Sequence, residues 1–141
     1  MYDDLLFPTD GSENAAVALE HAVSLADRYG ATIHVLYVVN TNYSDIGATG
    51  ETTIGTLRER GEETLREAED RASAAGVDAV ARIEEGDPYR TILEYAGENA
   101  DLIVMGTRGR SGLDRYLLGS VTEKVVRTAD VPVFTVRGGK R

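Results

Sequence analysis

Short apolar runs rich in β-branched residues alternate along this chain with longer segments of helical period. This alternation is typical of a parallel β-sheet whose strands are joined by helical crossovers. The predicted strands cover residues 4–8, 32–39, 78–83, 101–106 and 132–136. Parallel strands need right-handed crossovers, which place helices on both faces of the sheet. The pattern therefore predicts a doubly wound α/β fold in which four helices separate the five parallel strands.

Cap residues mark the ends of the predicted helices. A hydroxyl or carboxylate side chain suits a helix start, proline suits the first helical position, and glycine suits a helix end. The residues that fit these roles are Ser12 before the first helix and Gly30 after it, Gly76 after the second, Asp87 and Pro88 before the third, and Ser120 near the start of the fourth, which stops before Pro132. Residues 40–55 lack a helical or strand period, so they are predicted to form a long loop, either a lid over a ligand or a plain surface loop.

Length and composition limit the class of protein. A chain of 141 residues suits a single domain over residues 1–141. It contains no cysteine, which excludes disulfides, thiolate metal sites and a cysteine nucleophile. The net charge of -9 argues against nucleic-acid and anionic-membrane partners. The acidic N-terminus and the lack of a long apolar run argue against a secretory signal and a membrane span, so we expect a cytoplasmic protein.

Ligands of doubly wound sheets bind at the carboxyl ends of the strands, where the strand order reverses. The predicted strand ends are residues 8–12, 38–40 and 86–87, together with a stretch at 106–122 that holds four glycines and several arginines. The glycine spacing matches neither a P-loop nor the Gly-x-Gly-x-x-Gly dinucleotide motif.

Two interpretations of this glycine-rich stretch remain open. Bare backbone at Gly106 and Gly109, and the unpaired N–H groups of a helix that starts near Ser120, predict an anion site. Arginine side chains such as Arg108 can fork onto phosphate oxygens. Ser120 and Glu123 also fit a capping box, in which the serine hydroxyl caps the helix and binds no ligand.

The stretch has the spacing Gly106, two residues, Gly109, nine residues, Gly119, Ser120. This spacing resembles the nucleotide signature of the ATP-binding branch of the universal stress protein family. The resemblance covers essentially the whole chain, because residues 5–12, 106–113, 119–126 and 132–133 all contribute to it. It implies a Rossmann-like fold of the adenine nucleotide alpha hydrolase type. It also implies ATP as the bound nucleotide, and a triphosphate is usually carried with magnesium.

The resemblance assigns roles to particular residues. The turn after the first strand would touch the nucleoside, the second strand would place a valine beside adenine, and the glycine-rich stretch would line the ribose and hold the phosphates. The implied site residues, in that order, are Pro8, Thr9 and Asp10; Val38; Met105, Gly106, Arg108 and Gly109; and Gly119, Ser120, Val121 and Thr122.

The main functional hypothesis is an ATP-binding stress-response module with little intrinsic turnover, whose nucleotide state other proteins read. The sequence offers no Walker lysine, no assigned carboxylate base and no arginine finger, so no catalytic residue is predicted. A slow ATP hydrolase or nucleotidyl-transfer enzyme on the same fold is the alternative, and a nucleotide-free dimeric adaptor is a third hypothesis. His21 and His34 lack a second ligand at metal spacing, so no metal ligand is predicted.

The last predicted strand, residues 132–136, is apolar and would lie at an exposed edge of the sheet. An apolar edge strand is a template for pairing with another chain unless it is covered. We therefore predict a homodimer through this strand, which the family resemblance also implies. The identity of other protein partners is not predicted.

Overall fold

Strands and helices alternate strictly in the parts of the chain that the structure describes. The computed structural model describes residues 1–41, 50–107 and 119–137. The strands are β1 (Asp4–Pro8), β2 (Thr32–Asn40), β3 (Ala79–Gly86), β4 (Leu102–Gly106) and β5 (Val133–Val136). The helices are α1 (Glu13–Tyr29), α2 (Gly50–Ala74), α3 (Pro88–Asn99) and α4 (Ser120–Thr128). The predicted α/β fold of five strands and four helices is confirmed.

The strands form one parallel sheet in the order β3-β2-β1-β4-β5. The chain moves from β1 outward to β3, and α3 then carries it back across the sheet to β4. The strand order therefore reverses between β1 and β4. The carboxyl ends of these two strands border the crevice in which sheets of this kind bind ligands.

The central strands are buried on both faces, because helices cover each side of the sheet. Leu5 and Phe7 of β1 face the core under α1 and α2, whereas Leu6 of the same strand faces the core under α3 and α4. All three side chains are at most 1 % exposed. Burial of a large apolar side chain contributes about 1.5–3 kcal/mol. These residues therefore hold the carboxyl end of β1 in a fixed position.

The predicted caps of α1 and α3 are present. The Ser12 hydroxyl accepts a hydrogen bond from the Ala15 N–H over 3.2 Å, and the Asp87 carboxylate accepts one from the Arg90 N–H over 3.3 Å. Gly30 ends α1 with a φ of 65°, in the left-handed region that favours glycine. These contacts fix where each helix begins or ends.

Several predicted element limits need correction. The second and third strands are longer than predicted, because they pair along their length until Asn40 stands opposite Gly86. The third, fourth and fifth strands each begin one residue later than predicted, at Ala79, Leu102 and Val133.

The predicted loop over residues 40–55 is wrong at both ends. Asn40 belongs to β2, and α2 begins at Gly50. The helix extends back this far because Ile54 and Leu57 pack against the core under α1 and α2. That tertiary contact outweighs the low helix propensity of the glycines in this segment. The lid hypothesis concerns residues 42–49, which lie outside the described residues.

His34 joins three elements through its two ring nitrogens. Its Nε2 lies 2.9 Å from Asp4 Oδ1 at the start of β1, and its Nδ1 lies 2.8 Å from the Tyr95 hydroxyl in α3. The residue is 9 % exposed. These bonds give His34 a structural role. In the described part of the chain, no helix combines the length and the apolarity needed to span a bilayer.

Candidate functional site

A cavity of about 330 Å³ opens at the carboxyl ends of β1, β2 and β4, beside the point where the strand order reverses. Its lining comes from these strand ends, from α2, and from the first turns of α1, α3 and α4. The lining residues are Pro8, Thr9, Asp10, Ala15, Leu36, Tyr37, Val38, Val39, Asn40, Leu57, Pro88, Ile92, Met105, Gly106, Gly119, Ser120, Val121 and Thr122.

Every predicted site residue that the structure describes lies in this lining. The set is Pro8, Thr9, Asp10, Val38, Met105, Gly106, Gly119, Ser120, Val121 and Thr122. Arg108 and Gly109 lie outside the described residues. The fold thus brings together residues that are distant in sequence, and their role toward a ligand remains a prediction.

The cavity also contains residues that the sequence prediction did not assign to a site. Leu57 and Ile92 are apolar residues of α2 and α3, and Pro88 was predicted only as the first residue of a helix. Their place in the cavity follows from the topology, because α2 and α3 start at the same edge of the sheet as the strand ends. Of these three residues, only Pro88 could have been assigned to the site from the sequence, because it directly follows a predicted strand end and the Asp87 cap.

The N-terminus of α4 presents backbone donors at this cavity. The first backbone hydrogen bond of the helix runs from the Glu123 N–H to the Gly119 carbonyl over 2.9 Å. The N–H groups of Ser120, Val121 and Thr122 precede this bond, so they have no acceptor within the helix. They also carry the positive end of the helix dipole. This geometry suits a bound anion such as phosphate.

The predicted capping box at Ser120 and Glu123 is wrong. Gly119 is the N-cap, with φ -63° and ψ 159°, and Ser120 is the first helical residue. A capping box needs a hydroxyl at the N-cap itself, which glycine lacks. The Glu123 carboxylate instead pairs with Arg127 on the next turn. The negative φ also removes the backbone strain that a positive φ at Gly119 would impose on a larger residue.

The helix starts at this cavity differ in their caps. Side chains of Ser12 and Asp87 accept backbone N–H groups at the starts of α1 and α3. The N-cap of α4 is Gly119, which has no side chain and makes no side-chain cap hydrogen bond. Among these starts, α4 is therefore the one where an external acceptor would meet no competing cap group.

Two hydrogen bonds hold the start of α4 against the end of β4. The Thr122 hydroxyl donates to the Gly106 carbonyl over 2.8 Å, and the Gly119 N–H donates to the Thr107 carbonyl. Thr122 is 5 % exposed. Its hydroxyl thus has a structural role, and its backbone N–H is the group that remains to bind a ligand in the cavity.

The turn after β1 is held by short-range hydrogen bonds. Thr9 Oγ1 accepts from the Gly11 N–H over 3.1 Å, and Asp10 Oδ1 accepts from the Ser12 N–H over 3.0 Å. Gly11 has a φ of 79°, and a Cβ there would lie 2.8 Å from Thr64 Oγ1. The turn therefore requires glycine, and it presents the Asp10 carboxylate at the cavity in a defined position.

Part of the cavity lining is an apolar wall. Leu36 of β2, Ile92 of α3 and Met105 of β4 are each at most 5 % exposed, and they share one apolar cluster with the half-buried Val38. Apolar walls with a few polar groups at defined positions are typical of small-molecule sites. Over residues 1–41, 50–107 and 119–137, no group of three or more His, Asp or Glu side chains is placed to hold a metal ion.

Comparison with known proteins agrees with this architecture. The model of the universal stress protein family matches residues 1–137. A universal stress protein of Methanocaldococcus jannaschii is 38 % identical over 145 residues, which cover 100 % of this chain and 85 % of the relative.

Two solved structures extend the comparison. UspA from Lactobacillus plantarum superposes with a TM-score of 0.88 at 28 % identity, over 96 % of this chain and 98 % of the other. A universal stress protein in complex with cAMP superposes with a TM-score of 0.75 at 32 % identity, over 98 % of this chain and 99 % of the other. The chain described here belongs to the universal stress protein family.

Proposed function

We propose that this protein binds ATP in the cavity at the ends of β1, β2 and β4 and acts as a nucleotide-dependent stress-response or signalling module. The observation that carries the proposal is the glycine-capped start of α4, whose first N–H groups line a cavity with an apolar wall. A related universal stress protein, 32 % identical, is described in complex with cAMP, which supports an adenine nucleotide as the ligand class.

The lining suits the separate parts of a nucleotide. The apolar wall around Val38 and Met105 offers surface to a planar base, and the Asp10 carboxylate accepts hydrogen bonds from hydroxyl or amino groups. The N–H groups at Ser120 and its neighbours suit the phosphates. Arg108 and Gly109 are proposed to complete the phosphate contacts.

Magnesium would be held chiefly by the phosphates of the nucleotide. Mg²⁺ commonly binds through one or two carboxylates together with substrate phosphates. Asp10 is the one carboxylate in the described lining, and it already accepts a hydrogen bond from the Ser12 N–H. Bound magnesium would neutralise part of the triphosphate charge.

We propose that the protein holds ATP and hydrolyses it slowly or not at all. The sequence offers no Walker lysine, no assigned carboxylate base and no arginine finger in a fixed place, which supports this proposal. We expect turnover far below the roughly 1–100 per second of phosphoryl-transfer enzymes. A magnesium-dependent rate within that range, abolished by Gly119→Val, would favour the alternative of an ATP hydrolase or nucleotidyl-transfer enzyme.

We further propose a homodimer through β5, within the cytoplasm where ATP is available. The edge strands β3 and β5 differ in charge, because β3 carries Arg82, Glu84 and Glu85 whereas β5 carries no charged residue. Charged side chains on an edge oppose pairing with another chain. Phe134 of β5 is 41 % exposed, which leaves apolar surface for a second copy to cover.

Calorimetric titration tests the proposed nucleotide site. ATP with magnesium should bind at about one molecule per chain, and protein purified without added nucleotide should carry ATP by native mass spectrometry. Adenosine and inorganic triphosphate should each bind more weakly than ATP, because each engages one part of the site. An absence of both co-purified nucleotide and binding heat with millimolar ATP would contradict the proposal.

A further inference from the structure

Asn14 is a buried polar residue beside the cavity but outside its lining. It lies in the first turn of α1, directly before the lining residue Ala15, and it is 9 % exposed. The backbone of β4 lies directly beside its side chain.

The Asn14 side chain occupies the space that a side chain at position 106 would need. A Cβ added to Gly106 would lie 2.5 Å from Asn14 Nδ2, 3.3 Å from Asn14 Cγ and 3.3 Å from the Asn14 backbone oxygen. The first distance is shorter than real Cβ contacts allow. The missing side chain of Gly106 therefore points toward α1.

This direction changes the interpretation of Gly106. The sequence alone predicts that the bare backbone at this position lets a ligand approach. Gly106 does line the cavity, but its bare Cα also allows the close contact between β4 and the first turn of α1, where a Cβ would have to displace the Asn14 carboxamide. The ligand contact of Gly106 thus comes from its main chain.

We infer that Asn14 is a positioning residue for the nucleotide site and that it acts through Gly106. The Gly106 carbonyl accepts a hydrogen bond from the Thr122 hydroxyl over 2.8 Å. The packing of Gly106 against Asn14 therefore also determines where the first turn of α4 lies relative to β4. The N–H groups that face the cavity belong to that turn. This inference rests on the proposed nucleotide site.

A size-complementation experiment in the full chain tests the inference. The variants are Asn14→Ala, Gly106→Ala and the double variant, with Gly97→Ala as the control because a Cβ at Gly97 meets nothing within 4 Å. ATP and adenosine affinities are measured by calorimetry with magnesium, and the melting temperature of each variant is recorded. Gly97→Ala should match the parent in ATP affinity.

Gly106→Ala should weaken ATP binding by about tenfold or more, because the methyl group and the Asn14 carboxamide compete for one volume. Asn14→Ala should weaken ATP binding less and leave adenosine binding near the parent value, because the start of α4 holds the phosphates. A purely structural defect would weaken both ligands alike. The double variant should recover ATP affinity to within about threefold of the parent, since the methyl group fills the vacated space.

The outcomes separate this inference from the proposed function. A double variant that binds ATP no better than Gly106→Ala would overturn the inference, because the methyl group would then obstruct the ligand directly. Equal loss of ATP and adenosine binding in Asn14→Ala would overturn it as well. If Gly106→Ala does not fold, a double variant that folds and binds ATP supports the inference by itself. Failure of the parent to bind ATP would overturn the proposed function and this inference together.

Discussion

The Thr122 hydroxyl donates a hydrogen bond of 2.8 Å to the Gly106 carbonyl, and this bond joins the first turn of α4 to the last residue of β4. Both residues belong to the cavity lining, and β4 is one of the two strands between which the strand order reverses. The bond therefore couples the stability of the fold to the shape of the phosphate side of the proposed site.

The variant Thr122→Val should destabilise the protein by about 0.5–1.5 kcal/mol, because it removes the hydrogen bond to the half-buried Gly106 carbonyl while nearly preserving side-chain volume. The free energy of unfolding in urea measures the effect. Thr128→Val, at the exposed C-terminal residue of the same helix, should change it by less than about 0.5 kcal/mol. Equal effects at the two positions would show that the bond to Gly106 contributes nothing specific.

The variant Gly119→Val should abolish the stabilisation by ATP while the protein remains folded. Its φ of -63° is accessible to valine, so the expected effect is the side chain in the space of the phosphates. In the parent, ATP at about 100 times its dissociation constant should add roughly 2.7 kcal/mol, which raises the melting temperature by several degrees.

A control for Gly119→Val is Gly30→Ala at the C-terminal cap of α1. Gly30 has a φ of 65° and open space around it, so alanine should cost roughly 1–2 kcal/mol through backbone strain alone. This control should melt at a lower temperature than the parent and keep the full ATP shift. An unchanged ATP shift in Gly119→Val would remove Gly119 from the proposed phosphate site.

Two glycines in α2 should respond in opposite directions to alanine. A Cβ at Gly61 would lie 2.6 Å from Tyr37 Cδ1 and 3.0 Å from Ile83 Cδ1, whereas a Cβ at Gly55 meets nothing within 4 Å. Gly61→Ala should destabilise the protein by about 1–3 kcal/mol through overpacking, and Gly55→Ala should stabilise it by up to about 1 kcal/mol through helix propensity. Thermal unfolding of both variants checks the contrast, and a stabilised Gly61→Ala would refute this account of helix packing.

The variant Phe134→Glu should convert the proposed homodimer to a monomer, because it places a charge on the edge strand β5. Light scattering at micromolar concentration should give a dimer mass for the parent and a monomer mass for the variant. Val80→Glu is the matched control, since Val80 lies on the other edge strand and is 39 % exposed. A monomeric parent, or dissociation by Val80→Glu alone, would count against dimerisation through β5.

The order and type of the elements followed from the sequence because apolar periodicity is a local property. The observed strand limits differ from the predicted ones by a few residues where the contact that fixes them joins residues distant in sequence. The pairing of Asn40 with Gly86 is an example. The start of α2 was missed because Ile54 reaches its packing partners only in the folded protein.

The motif spacing predicted which residues belong to the candidate site, but it did not predict the structural role of each one. Glycine at position 119 was recognised, but its role as N-cap was not, because Ser120 and Glu123 also satisfy the spacing of a capping box. The packing reason for glycine at position 106 could not be predicted from the sequence, because Asn14 becomes its neighbour only through the contact between α1 and β4. Local patterns do not encode which distant side chain will occupy a given volume.

The shared volume of Asn14 and Gly106 has a consequence for how the sequence can diverge. A lineage that gains a side chain at position 106 while Asn14 is present must displace the Asn14 carboxamide, whereas earlier loss of that carboxamide leaves room for the new side chain. Substitution at position 14 should therefore precede substitution at position 106. Chains with alanine at both positions should descend from chains with a smaller residue at position 14 and glycine at position 106.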